Sequence, residues 1–338
     1  MIGNVVLSQT RREDWPKLRK EIRRRVMESM DTPPAGASGQ RVRFEELKRC
    51  QKHGLTHVHL RYHVLGEDWT EAICVLPPGC DAKHPAPGVL AIHGTNYEVG
   101  KFGVLDPEKS PKSAYGIELA RRGYVTMAVD QFGFGSTIKR REDQPVLFRK
   151  FFKQHPGWSI DGRHLLDHQR ALDVMEKLDF VAGDGFGAVG NSLGGRGVMY
   201  IAALDRRVAA AVSSCGISPN ASNVFRSCTY QKFLSPPMAE AIMADGKIPW
   251  EYSEMIALCA PRALLAIEPY NDNSNPDVGP TMQCFYRAGD VYRLLGCPEK
   301  LTLVVHGEGH GTPADLRAFA YLWLDRFLKD RKDGEVGA

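Results

Sequence analysis

The chain has 338 residues, of which 43% are hydrophobic and 25% are charged, and its formal net charge at pH 7 is +4. This composition is typical of a folded globular protein and excludes disordered, collagen-like, coiled-coil and disulfide-stapled chains. So small a charge on so long a chain gives no reason to expect a nucleic-acid partner. The sequence has no uninterrupted apolar stretch of about 18 residues, so no membrane span is expected.

The first segment is amphipathic. Residues 13–30 place Trp15, Leu18, Ile22 and Val26 at helical spacing among many basic residues. This pattern predicts a helix with one apolar stripe. We expect the stripe to dock on the body of the protein, with a homo-oligomer contact or binding to an anionic surface as alternatives.

The N-terminal residues lack the basic start and the apolar stretch of a secretory signal, and the eight Cys include no CxxC pair. We therefore expect a cytoplasmic protein with reduced thiols. Residues 32–40 are rich in Pro, Gly and small polar residues and predict a linker. Residues 1–45 are accordingly assigned to an N-terminal helical extension and linker.

The next segment alternates between polar and apolar residues. Residues 57–64 predict a strand that pairs with residues 69–78 in an antiparallel hairpin. One face of this strand carries His57, His59 and His63, a residue type that binds metals. Since no carboxylate or Cys accompanies them at ligand spacing, we expect a half-exposed sheet edge there and no metal.

Beyond this hairpin, short apolar runs alternate with helical patterns. The apolar runs cover residues 88–94, 124–130, 186–190, 208–215, 262–268 and 301–306. The helical patterns cover residues 113–123, 164–178, 194–204, 281–296 and 313–328. Such an alternation predicts an α/β fold with a mostly parallel central sheet flanked by helices, to which the hairpin adds an antiparallel part.

Residues 46–330 are therefore predicted to form one catalytic domain, followed by a tail at 331–338. Two connections in it, at about 131–163 and 216–258, are too long for plain loops. Long insertions in compact α/β domains usually form binding loops or lids. We expect lid-like insertions at both places.

The most specific motif is the sequence Gly190-Asn191-Ser192-Leu193-Gly194. It has the form G-x-S-x-G, an apolar run precedes it, and a helical pattern follows it directly. A strand–turn–helix elbow of this kind exposes the serine hydroxyl above the sheet. Ser192 is therefore the candidate nucleophile.

A serine nucleophile needs a base, and the base needs an orienting acid. His310 follows the run at 301–306 and is preferred as the base, with His306 as the competitor. Asp272 follows the run at 262–268 and is preferred as the acid, with Glu268 as its rival. The chain order Ser, Asp, His is that of the α/β-hydrolase triad.

Acyl transfer also needs donors for the oxyanion. One is expected to be the backbone N–H of Leu193, the residue after the nucleophile. The other is expected from the loop after the first buried run, where the N–H of Thr95 is preferred and Asn96 is the alternative.

Taken together, the motifs resemble those of α/β-hydrolases in the dienelactone hydrolase and acetyl xylan esterase-like branch. The resemblance spans about residues 57–330 and rests mainly on AIHGTN (91–96), VGNSLGG (189–195) and APRALLAIEPYND (260–272). It implies the α/β-hydrolase fold, with Asp272 as the triad acid and Thr95 in the oxyanion loop. The dienelactone hydrolases themselves carry Cys at the nucleophile, whereas this chain has Ser192.

These residues predict a serine esterase that acts on short-chain acyl esters, acetyl among them, of a carbohydrate or small alcohol. No metal or organic cofactor is required for this chemistry. Aromatic residues of the long connections, Phe132, Trp158 and Trp250, are candidates for stacking on a sugar ring. The alternatives are a small peptidase or amidase of the prolyl-oligopeptidase type, which has the same fold and triad order, and a non-catalytic binding protein.

Overall fold

The computed structural model describes residues 7–30, 33, 37, 41–108, 110, 112–220, 231–245 and 249–330. The predicted linker lies mostly outside these residues, and the tail at 331–338 lies wholly outside them. In the described part, one sheet of nine strands forms the centre of the molecule. The strands are β1 (Phe44–Lys52), β2 (Leu55–Leu65), β3 (Asp68–Leu76), β4 (Ala86–Ile92), β5 (Val125–Val129), β6 (Val181–Asn191), β7 (Val208–Ser214), β8 (Ala263–Pro269) and β9 (Leu301–His306).

The spatial order of the strands is β1-β2-β3-β5-β4-β6-β7-β8-β9. Strands β1 to β3 are antiparallel, β3 pairs antiparallel with β5, and all pairs from β5 to β9 are parallel. The predicted mostly parallel sheet with an antiparallel N-terminal part is thereby confirmed. Strand β4 has β5 on one side and β6 on the other, so the chain reverses direction across the sheet there, where ligands of α/β proteins commonly bind.

Strand β1 was not predicted, because its sequence FEELKRCQK is largely charged and exposed. It pairs along the outer side of β2, so β2 is an inner strand. The expectation of a half-exposed edge at β2 is therefore wrong, and His57 and His63 are buried, at 3% and 4% exposure. Strand β1 takes the edge position, and its charged residues suit an edge that must remain solvated.

Helices cover both faces of the sheet. They are α1 (Trp15–Ser29), α2 (Tyr115–Arg121), α3 (Asp143–Gln154), α4 (Ile160–Met175), α5 (Leu193–Leu204), α6 (Pro236–Asp245), α7 (Tyr252–Cys259), α8 (Gly279–Leu294) and α9 (Ala314–Leu324). One apolar core joins α1, α4, α5, α7 and α8 to one face, and a second joins α2 and α9 to the other. No helix in the described ranges is long and apolar enough to cross a membrane.

The N-terminal helix docks on the body through its apolar stripe, as expected from the sequence. Trp15, Ile22 and Val26 of its apolar stripe are buried in the larger core. Arg25 adds a largely buried ion pair of 2.6 Å with Glu254 at the start of α7. The end of α1 is thereby fixed close to the carboxyl edge of the sheet.

The two long connections contain helices. Helix α3 and the first residues of α4 lie within 131–163, and α6 and all but the last residue of α7 lie within 216–258. Residues 221–230 and 246–248 of the second connection are outside the described part of the chain. The helices account for much of the length that made these segments too long for plain loops.

Candidate active site

Ser192 stands at the tip of a sharp turn between β6 and α5. Its backbone has φ 58° and ψ −120°, a conformation that costs energy for a residue with a side chain. The Ser192 N–H donates to the carbonyl of Ser214 at 2.8 Å, which fixes the turn against the end of β7. The strained elbow predicted from the sequence is present.

The glycines of the motif are required because neighbouring backbone atoms leave no room for a Cβ. A Cβ at Gly190 would lie 2.4 Å from the backbone of Gly194, and one at Gly194 would lie 2.1 Å from the Ile92 carbonyl oxygen. Both obstacles are backbone atoms that cannot rotate away. These glycines allow β6, α5 and the end of β4 to approach closely around Ser192.

His310 and Asp272 meet at the carboxyl edge of the sheet. The Nδ1 atom of His310 lies 2.7 Å from Oδ2 of Asp272, whose carboxylate is buried. The other carboxylate oxygen of Asp272 accepts the Ser274 N–H at 2.6 Å. A carboxylate held in this way orients the imidazole and favours a proton on Nδ1.

The rival residues have other partners. Glu268 lies within β8 and accepts the N–H groups of Gly216 and Ile217 at 3.0 and 3.1 Å. His306 is the last residue of β9, and its Nδ1 accepts the Glu308 N–H at 3.2 Å. The structure therefore brings together His310 and Asp272, the preferred pair, and gives both rivals contacts within the scaffold.

The two loops that carry this pair are joined by a third side chain, which the sequence analysis missed. Asn271 donates to the Gly307 carbonyl at 2.7 Å and accepts the Gly309 N–H at 2.9 Å. An asparagine beside the acid gives no distinctive signal in a single sequence. Its effect is to hold the acid loop and the histidine loop in register.

The loop after β4 supplies the expected oxyanion turn. The N–H of Asn96 donates to the Gly94 carbonyl at 2.8 Å, which makes Thr95 the better donor candidate of the two. His93 donates from Nδ1 to the same carbonyl at 2.7 Å and accepts the Gln131 N–H on Nε2 at 3.3 Å. Burial lowers the pKa of His93, so this ring stays neutral and braces the turn.

An open polar cleft of about 350 Å³ gives solvent access to the nucleophile. Its walls include Ser192, His310 and Thr95, together with other hydroxyl- and amide-bearing side chains: Asn96, Ser113, Tyr115, Asn191 and Ser274. Ser192, His310 and the predicted oxyanion loop thus share one surface. No charged carboxylate or basic side chain other than the histidine is among the described residues of this wall.

A second, narrower cavity of about 50 Å³ also reaches Ser192. Its walls are mainly apolar and include Met30, Met238, Trp250 and Tyr252. Met30 directly follows α1, so the N-terminal segment takes part in the site. Sequence analysis treated this segment as an extension because its contacts are distant in the chain.

An ion pair lies in the same narrow cavity. Arg196 of α5 is paired with Asp161 of α4, and the Tyr200 hydroxyl lies 3.4 Å from the guanidinium group. The paired carboxylate raises the pKa of Arg196 further above its usual range, although burial opposes this effect. The sequence analysis also missed this pair, whose members are 35 residues apart in the chain.

The predicted aromatic residues are placed differently from one another. Trp250 lines the narrow cavity, and its indole N–H donates to the Ser29 hydroxyl at 2.7 Å. Trp158 is 1% exposed and packs on Phe151. Phe132 is stacked on Phe148. Neither Trp158 nor Phe132 belongs to the described walls of the two cavities at Ser192. Trp158 is a core residue, and Phe132 is half-buried against that core.

Residues that could hold a metal are few. In the described ranges, one group of three ligating side chains has its donor atoms within 4.8 Å of one another, namely Cys215, Asp272 and His310. The three His of β2 do not form such a group. Two members of the group are the predicted base and acid.

The sheet order, the elbow after β6 and the residues gathered at the carboxyl edge define a hydrolase of the α/β-hydrolase class. The chain belongs to the Abhydrolase family, whose model matches residues 5–270. That match includes the N-terminal helix as well as the elbow, in agreement with the contribution of α1 to the site.

Two relatives agree with this class. YtaP of Bacillus subtilis, named as a candidate hydrolase, is 26% identical over 269 residues, which is 78% of this chain and 85% of that protein. Dipeptidyl-peptidase 5 of Porphyromonas gingivalis is 28% identical over 277 residues, or 75% of this chain but only 35% of that protein.

Solved structures show the same fold. A candidate acetyl xylan esterase from Bacteroides fragilis superposes with a TM-score of 0.65 at 17% identity, covering 89% of this chain and 77% of that one. A glucuronoyl esterase from Solibacter usitatus has a TM-score of 0.71 at 15% identity, covering 93% of each chain. These superpositions confirm the α/β-hydrolase fold that the motifs predicted.

Proposed function

We propose that this protein is a serine esterase that hydrolyses short-chain acyl esters, acetyl esters in particular, of a carbohydrate or another polyhydroxylated alcohol. The observation that carries the proposal is the shared cleft. Ser192 on its strained elbow and His310, hydrogen-bonded to Asp272 at 2.7 Å, line the same cavity wall. This combination supports nucleophilic catalysis by the serine hydroxyl.

In the proposed mechanism, the Ser192 hydroxyl attacks the ester carbonyl while Nε2 of His310 removes its proton. Asp272 stabilises the imidazolium that forms. The backbone N–H groups of Leu193 and Thr95 stabilise the oxyanion. His310 then protonates the leaving alcohol, and a water molecule activated by the same ring releases the acid and restores Ser192.

The size of the narrow cavity favours a short acyl group. A water molecule needs about 10–15 Å³ of such space, so the narrow cavity of about 50 Å³ accepts only a few non-hydrogen atoms. Apolar wall residues such as Met30, Met238 and Trp250 suit the methyl group of an acetyl ester, although the Arg196–Asp161 ion pair lines the same cavity. A long acyl chain would have to displace Trp250 or Tyr252, which are 5% and 4% exposed.

The open cleft favours a hydroxylated alcohol. Its described walls carry the side chains of Thr95, Asn96, Ser113, Asn191 and Ser274, which can each donate or accept a hydrogen bond. Neutral polar walls of this kind suit the hydroxyl groups of a sugar. The acetyl xylan esterase and glucuronoyl esterase names of structures with the same fold are in line with this assignment.

The test compares p-nitrophenyl acetate, butyrate and octanoate with a p-nitroanilide, followed by acetylated xylo- and glucosaccharides. We expect the acetate ester to be cleaved fastest and a fluorophosphonate probe to label the wild type. The matched variant Ser192→Ala should lose both hydrolysis and labelling while it unfolds at an unchanged temperature. Wild-type turnover by Ser192→Ala would refute the proposal.

A peptidase or amidase is the second candidate, favoured by the similarity to a dipeptidyl-peptidase. The same assay separates the two functions. Cleavage of the p-nitroanilide, or of dipeptide amides, at rates comparable to the acetate ester would favour the peptidase. Activity on the esters alone would favour the esterase.

A further inference from the structure

The thiol of Cys215 lies close to the predicted acid and base, Asp272 and His310. Cys215 follows β7 in a left-handed conformation with φ 50°, and its N–H donates to the Ile267 carbonyl at 2.9 Å. This conformation points the side chain toward the loops that follow β8 and β9. The thiol lies 3.6 Å from the Gly311 carbonyl oxygen, one residue after His310.

The three ligating atoms are close enough to bind one ion together. The sulfur of Cys215, an oxygen of Asp272 and a ring nitrogen of His310 lie within 4.8 Å of one another. We take Nδ1 as the ligand atom of His310, because it lies 2.7 Å from Oδ2 of Asp272. Thiolate, imidazole and carboxylate are the ligands of zinc sites, in which three protein ligands commonly leave one position open.

We propose that Cys215, Asp272 and His310 form an inhibitory site for a thiophilic divalent cation of the Zn²⁺ and Cd²⁺ class. The binding itself is independent of the proposed function, whereas the inhibition rests on it. No chemical step of the ester hydrolysis uses this cation.

The charges and protons of the complex balance. The thiol releases its proton to solvent and becomes a thiolate, and the two anionic ligands then neutralise the dipositive ion. The ion replaces the proton between Nδ1 of His310 and Asp272. That proton moves through solvent to Nε2, so the ring remains neutral and one proton is released in total.

This change would abolish the base. Nε2 is the atom that must accept the proton of Ser192, and in the metal complex it carries a hydrogen itself. Asp272 is bound to the ion and no longer stabilises an imidazolium. Inhibition therefore follows from the geometry without any ion contact to Ser192.

An ion can reach the site through the cavities already described. Cys215 and Ser192 both line the narrow cavity, and His310 lines the open cleft. In the absence of a cation the thiol keeps its proton, because burial raises the pKa of Cys215 to about 12. The thiol is therefore a poor competitor for the Asp272–His310 hydrogen bond until a metal displaces its proton.

Another cysteine provides a matched control. Cys284 in α8 is as buried as Cys215, at 4% exposure, and burial raises its pKa to about 12 as well. It is not part of the three-ligand group found in the described ranges. A Cys284→Ser variant therefore reports the effect of removing a buried thiol away from the site.

The experiment is a Cd²⁺ titration of the full chain, followed by the ultraviolet thiolate-to-metal charge-transfer band and by proton release in weak buffer. The wild type and Cys284→Ser should bind one tight equivalent and release one proton. Cys215→Ser should lose the tight band, with an affinity lower by about 100-fold or more, since outer contacts alone often change metal affinity by 10–100-fold. A tight band retained in Cys215→Ser, or absent from the wild type, overturns the proposal.

A second variant, His310→Gln, tests the same site in case Cys215→Ser fails to fold. His310→Gln keeps the thiol but removes the imidazole ligand, and we expect it to weaken Cd²⁺ binding by at least about tenfold. Wild-type binding by His310→Gln would also overturn the proposal. Both measurements are independent of turnover, so an absence of esterase activity would refute the proposed function and leave the metal site standing.

The activity measurement completes the test. Zn²⁺ should inhibit p-nitrophenyl acetate hydrolysis by the wild type, and a chelator should restore it. The quantity compared is the ratio of rates with and without Zn²⁺ in each variant. We expect this ratio to be close to one in Cys215→Ser and as low as in the wild type in Cys284→Ser; equal inhibition of Cys215→Ser would contradict the inhibitory role.

Discussion

The choice between two neighbouring acids gives the sharpest prediction. We expect Asp272→Asn to lower kcat by roughly 10⁴, because an amide cannot balance the imidazolium that forms on His310. At 2.7 Å and an effective dielectric constant of about 20, the charge pair is worth about 6 kcal/mol. Since about 1.4 kcal/mol corresponds to one power of ten in rate, the loss is about four powers of ten.

Glu268→Gln is the matched control. The amide oxygen of glutamine can still accept the Gly216 and Ile217 N–H groups, so we expect kcat within about tenfold of the wild type. The assay is p-nitrophenyl acetate hydrolysis at saturating substrate, with thermal unfolding to check that each variant folds. If Asp272→Asn stays within tenfold of the wild type while Glu268→Gln loses three powers of ten, the assignment of the acid is wrong.

Three further predictions concern the scaffold. Gly194→Ala should destabilise the protein by at least about 2 kcal/mol in urea unfolding, because its Cβ would lie 2.1 Å from a backbone oxygen, and an unchanged midpoint would contradict this. Arg25→Met should cost about 3 kcal/mol, because it leaves the buried Glu254 carboxylate without this partner. A matched Arg24→Met change on the exposed face should cost less than about 0.5 kcal/mol, the usual range for surface substitutions. Burial lowers the pKa of His164 to about 3, so between pH 7 and pH 5 the unfolded chain binds a proton on this ring and the folded protein does not. The free energy of unfolding should therefore fall by about 2 kcal/mol over this pH range because of His164. His164→Gln should remove that part of the pH dependence, and a slope equal to that of the wild type would show that the ring titrates normally.

Elements with a strong local signal were predictable from the sequence. Each of the strands β4 to β9 contains a short apolar run that the sequence predicted, although β6 begins five residues before its run. The elbow requires its glycines because neighbouring backbone atoms leave no room for a Cβ. Strand β1 was missed because it lies at the solvated edge of the sheet, so its sequence is largely charged and shows no alternation of apolar residues. Helix α3 was missed because its segment was interpreted as a lid-like insertion, whereas Phe148 and Phe151 are core residues.

In the site, too, residues within a local sequence pattern were predictable, whereas contacts between distant segments were not. Ser192 lies in a contiguous motif, and His310 follows a recognisable strand. The Arg196–Asp161 pair, the Asn271 contacts and the position of Met30 depend on segments that meet only after folding. No period or motif in one segment encodes such contacts, since each depends on the registration of two elements.

Glu268 in β8 and Asp272 in the loop after β8 have different structural roles. Strand alternation directs Glu268 toward the turn after β7, where it binds the N–H groups of Gly216 and Ile217. Gly216 in turn is packed so closely on the start of α5 that a Cβ there would lie 2.4 Å from the backbone of Gly195. Glu268 therefore fixes the surface against which the first turn of α5 rests, and with it the N–H of Leu193 that is proposed to bind the oxyanion. Asp272, four residues later and beyond the end of the strand, is free of that constraint and can face the loop after β9. A carboxylate inside the strand thus supports the nucleophile from behind, and a carboxylate in the loop orients the base, so exchanging their roles would require a different register of β8.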